Sequence, residues 1–360
     1  SLKKYSNRKE YTSCEGIENL NQTLKNIYNR KINNQKVNYN FLVGNGLKEL
    51  LFVIQSSFKG RIIHITPSWV SYKEHIKIME REEDLIEIDT KIENGFKIDL
   101  DLLEKELKNN SEYNKLLILN NPNNPTGIFF QEEEIKKIAI LLKKYNCLVL
   151  SDEIYLNLTY ENKPVSISDY IPELTIIGSS VSKDFGCGGY RLGWLGFPEN
   201  QSELFLKCKF NSSSIYSCAP TPIQYATYEM LNNTKLSKKH FNMSIEIYKY
   251  ISEEVCKLLK GSKIKFVVPN AAWYIFLNFE NYKSKLLSIN IKNSKDLCFY
   301  LIDKIGFISV PGESFNTSGM NLRISLVDFK IEIDGNNIKK FNINNIITGI
   351  NILIKLLEDL

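Results

Sequence analysis

The chain has 360 residues, of which 43% are hydrophobic, and it carries a formal net charge of +5 at pH 7. This length exceeds what one hydrophobic core usually serves, so two domains are expected, and the hydrophobic fraction excludes a disordered chain. The apolar runs are too short to cross a membrane, and the first residues do not resemble a secretory signal. The lysines are scattered rather than massed beside aromatic residues, so a nucleic-acid partner is not expected.

The seven cysteines are odd in number and show no Cys-x-x-Cys spacing. Such a set predicts reduced thiols in a cytoplasmic protein rather than disulfides or a zinc site. The three histidines have no metal-ligand spacing. We therefore expect no metal and no histidine-based catalysis.

The first predicted turn lies at Gly44–Gly46, between a strand at 41–43 and a helix that starts at Leu47. A polar segment with Tyr11 and a helical pattern precede it. Backbone amides at the start of a helix favour an anion. A Gly-x-Gly sequence is equally compatible with a plain turn.

The next predicted strand covers residues 62–65 and is followed by Trp69. Ligand-facing residues collect just beyond strand ends in open α/β sheets. Trp69 is therefore either such a residue or an aromatic at the edge of the core.

Two further apolar strands, at 116–119 and 147–150, end in polar residues. The first is followed by a loop with two prolines and a glycine, which would hold Asn124 rigidly with its amide free to donate, or would be no more than a turn. The second ends at Asp152. An acid at the tip of an apolar strand needs a partner, which could be a protonated ring nitrogen, or it caps the next helix.

The repeated alternation of strand and helix predicts an α/β fold with a mostly parallel sheet covered on both faces. Smaller alternations from about residue 240 suggest an α+β second domain. We expect a large domain at 1–240, whose residues before about 35 form partly an arm or dimer contact, and a small domain at 241–360. The later elements are predicted as strands at 192–197, 264–268, 272–279, 307–310 and 322–326, and as helices near 201–211, 219–232, 237–260, 294–304 and 343–358.

A lysine stands among small residues in the stretch from Gly178 to Gly186, with an arginine eight places after it. Lys183 is either a solvated loop charge or an amine held close to a cofactor, where small neighbours let the backbone approach. A lysine amine becomes nucleophilic towards carbonyls when burial or a nearby cation favours its neutral form. Arg191 could supply that cation and bind a phosphate. Pyridoxal 5'-phosphate (PLP), an aldehyde that carries a phosphate, would suit such a site.

Five motifs in sequence order resemble the class I and II aminotransferases of the aspartate aminotransferase type, which are PLP enzymes of fold type I. They are Asn-Pro-Thr-Gly at 124–127, Ser-Asp-Glu-Ile-Tyr at 151–155, Ser-x-Ser-Lys at 180–183, Arg191, and Leu-Arg-Ile-Ser at 322–325. The resemblance runs from about Tyr11 to Arg323. It implies a large domain with a mostly parallel seven-stranded sheet and a smaller C-terminal α+β domain.

The resemblance also implies the catalytic residues. Lys183 would form the Schiff base with the PLP aldehyde and then move the proton between Cα and C4′. Asp152 would keep the pyridine nitrogen protonated, and Tyr155 would donate a hydrogen bond to the phenolic oxygen together with Asn124.

The remaining contacts of cofactor and substrate follow from the same resemblance. Trp69 would stack on one face of the ring and Ile154 would pack on the other. Arg323 would clamp the substrate α-carboxylate, with Asn124 and Trp69 also next to the substrate. The phosphate would be bound by the amides near Gly46, Leu47 and Lys48, by the Ser180 hydroxyl, by Arg191, and by Tyr11 of the neighbouring subunit, which implies a homodimer with shared active sites.

The implied function is the transfer of an amino group from an L-amino acid, aspartate or similar, to a 2-oxo acid such as 2-oxoglutarate. Two alternatives remain at this point: a PLP-dependent lyase or decarboxylase of the same fold, and a non-catalytic PLP-binding regulator. The family has a longer segment before the position of Tyr11, where this sequence has ten residues. The basic residue that binds a distal carboxylate in dicarboxylate-specific members is not identified, although Lys59 and Arg61 are near in sequence.

Overall fold

The computed structural model describes residues 2–32, 35–160, 165–334 and 337–360. The strands in these residues are β1 (Arg30–Ile32), β2 (Gln35–Val37), β3 (Tyr39–Gly44), β4 (Arg61–Thr66), β5 (Leu85–Asp89), β6 (Lys115–Asn120), β7 (Leu148–Asp152), β8 (Thr175–Ser180), β9 (Gly193–Pro198), β10 (Lys265–Phe266), β11 (Tyr274–Asn278), β12 (Val310–Pro311), β13 (Asn321–Ser325), β14 (Lys330–Asp334) and β15 (Asn337–Asn342). The helices are α1 (Leu2–Tyr5), α2 (Glu18–Ile27), α3 (Leu47–Ser57), α4 (Ser71–Ile78), α5 (Leu100–Asn109), α6 (Glu132–Lys144), α7 (Ser202–Tyr216), α8 (Thr221–Asn232), α9 (Thr234–Leu259), α10 (Lys283–Ser288), α11 (Ser294–Ile305) and α12 (Asn344–Glu358).

A seven-stranded sheet in the order β3-β9-β8-β7-β6-β4-β5 forms the centre of the fold. It is mostly parallel, which confirms the predicted α/β class. Strand β9 alone runs antiparallel to its two neighbours, β3 and β8. The connection from β8 to β9 carries no crossover helix, and a parallel pairing would need one. Its residues, 181–192, form instead the turn that contains Lys183 and Arg191.

Neighbouring strands end level with one another at the carboxyl edge of this sheet. Asn120 of β6 pairs with Asp152 of β7, which pairs with Gly178 of β8. All of β6 and most of β7 are buried, so polar groups there are confined to the strand ends. Loops that follow these three strands therefore converge on one place, as is usual for ligand sites in open α/β sheets.

Helices cover both faces of the sheet because each buries one apolar stripe. Helix α3 packs Leu50 and Ile54 against one face, in a cluster with Ile118 of β6. Helices α5 and α6 cover the other face, in a cluster that includes Leu103 and Ile135. Burying each of these aliphatic side chains is worth roughly 2 kcal/mol, so this packing holds the strand ends in place.

A second hydrophobic core lies in the later part of the chain. The antiparallel sheet β10-β11-β13-β12 packs against α9, α11 and α12 through residues such as Val255, Leu297, Leu322 and Leu353. The predicted strand at 307–310 is found only as Val310–Pro311. Gly306, in the left-handed region, caps α11 just before it, and Pro311 has no amide for the ladder. The hairpins β1–β2 and β14–β15 were not predicted. None of the helices in the described ranges combines the length and the hydropathy that a membrane span requires.

Candidate active site

A cavity of about 390 Å³ opens at the carboxyl edge of the large sheet. Ten residues named from the sequence line it: Leu47, Lys48, Trp69, Asn124, Asp152, Ile154, Tyr155, Lys183, Arg191 and Arg323. Six further lining residues were not predicted: Leu51, Tyr72, Asn120, Ser182, Gly188 and Tyr274. The motifs are far apart in sequence, and the level ends of β6, β7 and β8 bring the loops with Asn124, Asp152 and Lys183 together.

Lys183 follows β8 on a short turn, which its carbonyl closes by accepting a hydrogen bond of 3.0 Å from the amide of Gly186. Its Nζ lies 5.6 Å from the centre of the Trp273 ring. In the described part of the chain this ammonium forms no ion pair with a carboxylate. The amine thus stands free in the cavity that also contains Asp152.

Asp152 is 3% exposed at the end of β7. Its Oδ2 accepts a hydrogen bond of 2.5 Å from the hydroxyl of Tyr72, and its Oδ1 accepts one of 3.2 Å from the amide of Ile154. Burial raises the pKa of Asp152 to about 6, although both hydrogen bonds act to lower it. A cation placed against this carboxyl would further favour its ionised form.

Tyr72 and Asn120 are site residues that the sequence interpretation missed. Tyr72 lies in the first turn of α4, and its ring meets that of Trp69 edge to face, with the ring centres 5.4 Å apart. Asn120 accepts a hydrogen bond of 2.8 Å from the amide of Asn124 and donates one of 3.1 Å to the carbonyl of Asp152. It therefore ties the Asn-Pro-Thr-Gly loop to the end of β7.

Arg323 reaches the cavity from β13 and is surrounded by aromatic rings. Its guanidinium carbon lies 4.6 Å from the ring centre of Tyr274 and 5.0 Å from that of Phe315. Nη1 donates a hydrogen bond of 3.0 Å to Oδ1 of Asn124, whereas the buried Nε has no partner in the described residues. Burial lowers the pKa of Arg323 from its usual value. A guanidinium that is largely shielded from water and has an N–H group without a partner is well suited to bind a carboxylate.

The hydroxyls of Tyr155 and Tyr274 share a hydrogen bond of 2.8 Å on the same side of the cavity. Tyr155 is 2% exposed, and burial raises its pKa well above the usual value, so this phenol stays protonated and able to donate. Tyr274 lies on β11, next to Arg323 on β13. The sequence did not single out Tyr274, because one aromatic residue within a predicted strand is not a distinctive pattern.

The start of α3 and the side chain of Arg191 form a cradle for an anion. Helix α3 has no side-chain cap, so its first amides are free to bind a ligand. Gly46, at φ +93°, precedes them, and a Cβ there would lie 2.5 Å from Nη2 of Arg191. Arg191 is itself in the left-handed region at φ 54°, and its guanidinium donates to the carbonyls of Gly188 and Asn45 at 2.8 and 3.0 Å.

Strand β9 approaches the same helix start through Gly193. A Cβ on Gly193 would lie 2.5 Å from the amide nitrogen of Leu47. The backbone that follows Arg191 therefore lies directly against the amides of the cradle.

Besides Gly46 of the cradle, four residues named from the sequence are not among those that line the cavity. Ser180 is buried, accepts a hydrogen bond of 3.0 Å from the amide of Ser182, and lines a neighbouring cavity. Tyr11 is 88% exposed on the surface of the single chain. Lys59 lines a separate pocket, and the guanidinium of Arg61 lies 4.5 Å from the ring of Tyr113, so neither reaches the site.

Within residues 2–32, 35–160, 165–334 and 337–360, no group of three or more His, Cys, Asp and Glu side chains is arranged to hold an ion.

Comparison with known proteins places the chain among aminotransferases. The family model "Aminotransferase class I and II" matches residues 2–330. The chain is 30% identical over 327 residues to a probable aspartate/prephenate aminotransferase of Aquifex aeolicus, covering 88% of this chain and 78% of that one. It is 28% identical over 311 residues to an aspartate aminotransferase of Sulfolobus acidocaldarius, covering 85% and 74%.

Solved structures show the same fold at lower identity. The aspartate aminotransferase of Thermus thermophilus with maleate superposes with a TM-score of 0.80 at 23% identity, over 98% of this chain and 87% of that one. An aromatic aminotransferase of Pyrococcus horikoshii superposes with a TM-score of 0.82 at 22% identity, over 99% and 92%.

Proposed function

The chain belongs to the class I and II aminotransferases, which are PLP-dependent enzymes, and we propose that it transfers an amino group from aspartate or a similar L-amino acid to a 2-oxo acid such as 2-oxoglutarate. The observation that carries this proposal is that Lys183, Asp152 and Arg323 face one cavity. An amine, a buried acid and a carboxylate-binding guanidinium are the three groups that the reaction needs. The similarity to the Aquifex aspartate/prephenate and the Sulfolobus aspartate aminotransferases supports aspartate as the donor.

The residues of the cavity fit PLP. The cradle at Gly46 and Arg191 matches a phosphate, because a side chain at position 46 would fill it. Asp152 offers a buried carboxyl for a ring nitrogen, and Lys183 offers an amine for the aldehyde. When bound, PLP supplies an electron sink for the charge that forms when the substrate Cα loses its proton.

The side chains of this protein would then bind, orient and move protons. Arg323 would hold the substrate α-carboxylate, and this orientation would present the Cα–H bond to the Lys183 amine. Lys183 would take that proton and return one to the neighbouring carbon. The protonated phenol of Tyr155 and the amide of Asn124 would stabilise a phenolate oxygen, and Trp69 would cover one ring face.

Lys48 is the group that we propose for a distal carboxylate. It lines the cavity, and its Nζ lies 4.9 Å from the ring centre of Trp69. In the described part of the chain it makes no ion pair with an acid. An ammonium in this position would favour substrates with a second carboxylate over purely apolar ones.

A coupled assay tests the reaction. Purified protein loaded with PLP should convert aspartate and 2-oxoglutarate to oxaloacetate and glutamate, followed through the NADH consumed by added malate dehydrogenase. If glutamate formed only from other amino-acid donors, the proposed donor would be wrong but the proposed amino-group transfer would stand. No transfer with any donor, from protein that binds PLP, would contradict the proposal.

A separate experiment tests the site. Borohydride reduction of the PLP-loaded protein, followed by peptide mapping, should place the mass of the cofactor on the peptide that contains Lys183. Attachment to a different lysine would refute the assignment even if the protein were active.

We also propose a homodimer with shared active sites. The support is Tyr11, which the single chain leaves 88% exposed and outside the cavity although the family pattern assigns it to the phosphate. Light scattering should give twice the 41.6 kDa of one chain. Mixing the inactive variants Lys183→Ala and Tyr11→Ala should restore activity, since each hybrid has one intact site. A monomeric active enzyme would exclude sharing.

Two further proposals concern the domain organisation and the cellular location. A domain boundary near residue 240, which falls within the long helix α9, is supported by the separate hydrophobic cores. Hydrogen exchange should show a different opening free energy for each core. A cytoplasmic location is supported by the seven free cysteines, and thiol labelling of protein from unbroken cells should find them reduced.

A further inference from the structure

A second cavity, of about 520 Å³, lies behind the turn that carries Lys183. It is bounded by the end of β8, the first half of α9 and the end of α2. Aromatic side chains form much of its wall, including those of Phe185, Trp194 and Phe241. The lining residues of the two cavities do not overlap, so this space is separate from the cavity that contains Lys183.

A buried acid lines this second cavity. Asp184 is 3% exposed, and its Oδ2 accepts a hydrogen bond of 2.6 Å from Nδ2 of Asn157. The backbone amide of Asn157 also acts to lower the pKa of this carboxyl, but Oδ1 has no hydrogen-bond partner among the described residues. A buried carboxylate with a free oxygen is unfavourable unless a cation or a donor meets it.

The charged and titratable groups around Asp184 do not provide that partner. Glu153 is a second buried carboxyl, and it makes a positive neighbour more favourable. On α9, Nε2 of His240 lies 2.9 Å from the backbone oxygen of Asp184, and Lys238 is exposed and makes no bond to the carboxylate in the described part of the chain. Directly after α2, the hydroxyl of Tyr28 accepts a hydrogen bond of 3.2 Å from Nε1 of Trp194.

We propose that this cavity binds a small organic cation, a protonated amine attached to an aromatic or branched apolar body. The ammonium would donate to Oδ1 of Asp184, and the apolar body would pack among Phe185, Trp194 and Phe241. Such rings also attract a cation through their π faces. The ligand would contact the turn that holds Lys183 without entering the active site.

The probe must be an amine that cannot condense with the PLP aldehyde. N,N-dimethylphenethylamine meets this condition, because a tertiary amine keeps one N–H as a cation and forms no imine. Calorimetry with the PLP-loaded enzyme at pH 7 should show saturable binding of one probe per chain. Phenethyl methyl ether, a neutral compound of similar shape, should bind at least about tenfold more weakly because it lacks the charged donor.

Two variants locate the site. Asp184→Asn keeps the shape and should weaken probe binding about tenfold or more. Asn242→Trp fills the cavity from α9 without changing the carboxylate, and it should abolish binding while the melting temperature stays near that of the parent. If Asp184→Asn does not fold, the tryptophan variant and the ether still decide the question.

A proton count gives an independent readout. Burial raises the pKa of Asp184 to about 8, so at pH 7 the empty site holds a proton that a bound cation would expel. Binding heats measured in buffers of different ionisation enthalpy should therefore reveal proton release, which Asp184→Asn abolishes. Equal binding of amine and ether, unchanged affinity in either variant, or no saturable binding at millimolar probe would overturn the proposal.

Discussion

The hydroxyl of Tyr72 donates a hydrogen bond of 2.5 Å to Oδ2 of Asp152. Both side chains are buried, and the bond favours the ionised carboxylate where burial alone would favour the neutral acid. A tyrosine of α4 thus helps to set the charge of the acid at the end of β7. This acid would face the ring nitrogen of PLP, so the bond bears directly on the reaction.

We expect Tyr72→Phe to move the acid limb of the kcat/KM profile to higher pH and to lower kcat/KM at neutral pH about tenfold. The substitution removes a hydrogen bond that holds down the pKa of Asp152. Tyr39→Phe is the matched control, because it removes an equally buried hydroxyl, which donates to the carbonyl of Pro172 far from the site. An unchanged acid limb would show that Tyr72 does not tune Asp152.

Lys183→Ala should reduce turnover by about 10³-fold or more, because it removes the amine that we propose as the proton carrier. Single-turnover and steady-state rates would measure the loss, and melting curves would show that the fold persists. Lys108→Ala removes an exposed lysine from the end of α5 and should behave like the parent. Normal turnover in the Lys183 variant would end the assignment.

Arg323→Ala should raise KM about 100-fold for every amino acid tested, because each substrate loses the partner of its α-carboxylate. Arg323→Lys should recover part of the affinity, since it restores the charge without the planar fork. Steady-state kinetics with several donors gives the comparison, with the exposed Arg8→Ala as control. A KM increase confined to dicarboxylate donors would place Arg323 at the distal carboxylate instead.

Gly46→Ala should weaken PLP binding at least about tenfold, because the new Cβ would lie 2.5 Å from Nη2 of Arg191 and disturb the cradle. Fluorescence titration of the apoprotein with PLP measures the dissociation constant. Gly95→Ala also places alanine at a positive φ, but with nothing within 4 Å, and should leave PLP affinity unchanged. Equal effects of the two substitutions would point to backbone strain alone.

The apoprotein should lose stability as the pH rises from about 4.5 to 7, in part through Glu153. Burial raises the pKa of this carboxyl to about 7, so its contribution is complete below its unfolded pKa and is lost as the pH rises through the folded one. The loss is on the order of 3 kcal/mol. Urea unfolding at several pH values would measure it, and Glu153→Gln should flatten the curve. An equally steep curve in that variant would assign the effect elsewhere.

The sheet was predictable because its strands carry strong local signals. Apolar runs such as 116–119 and 147–150 alternate with amphipathic helices, and that alternation permits few arrangements. The direction of β9 was not predictable, since it depends on the course of residues 181–192 and not on the composition of the strand. The sequences of the hairpins β1–β2 and β14–β15 contain no run of consecutive apolar residues, which is the signal from which the strands of the large sheet were predicted.

Site residues could be predicted where a polar residue with a distinctive chemical role directly follows an apolar strand. Asp152, Asn124 and Lys183 belong to this class, and they do line one cavity. Tyr72 and Asn120 support those residues through hydrogen bonds that depend on tertiary packing, so no local pattern singled them out. The structure places Ser180 beside another cavity, because its position at the end of β8 turns its hydroxyl toward the amide of Ser182.

The contact of Gly193 with the amide of Leu47 leaves no room for even one methyl group. A substitution at Gly193 would therefore displace the start of α3 more than it would disturb β9, which is hydrogen-bonded to a strand on each side. We therefore expect a Gly193→Ala variant to fold and to bind phosphate more weakly.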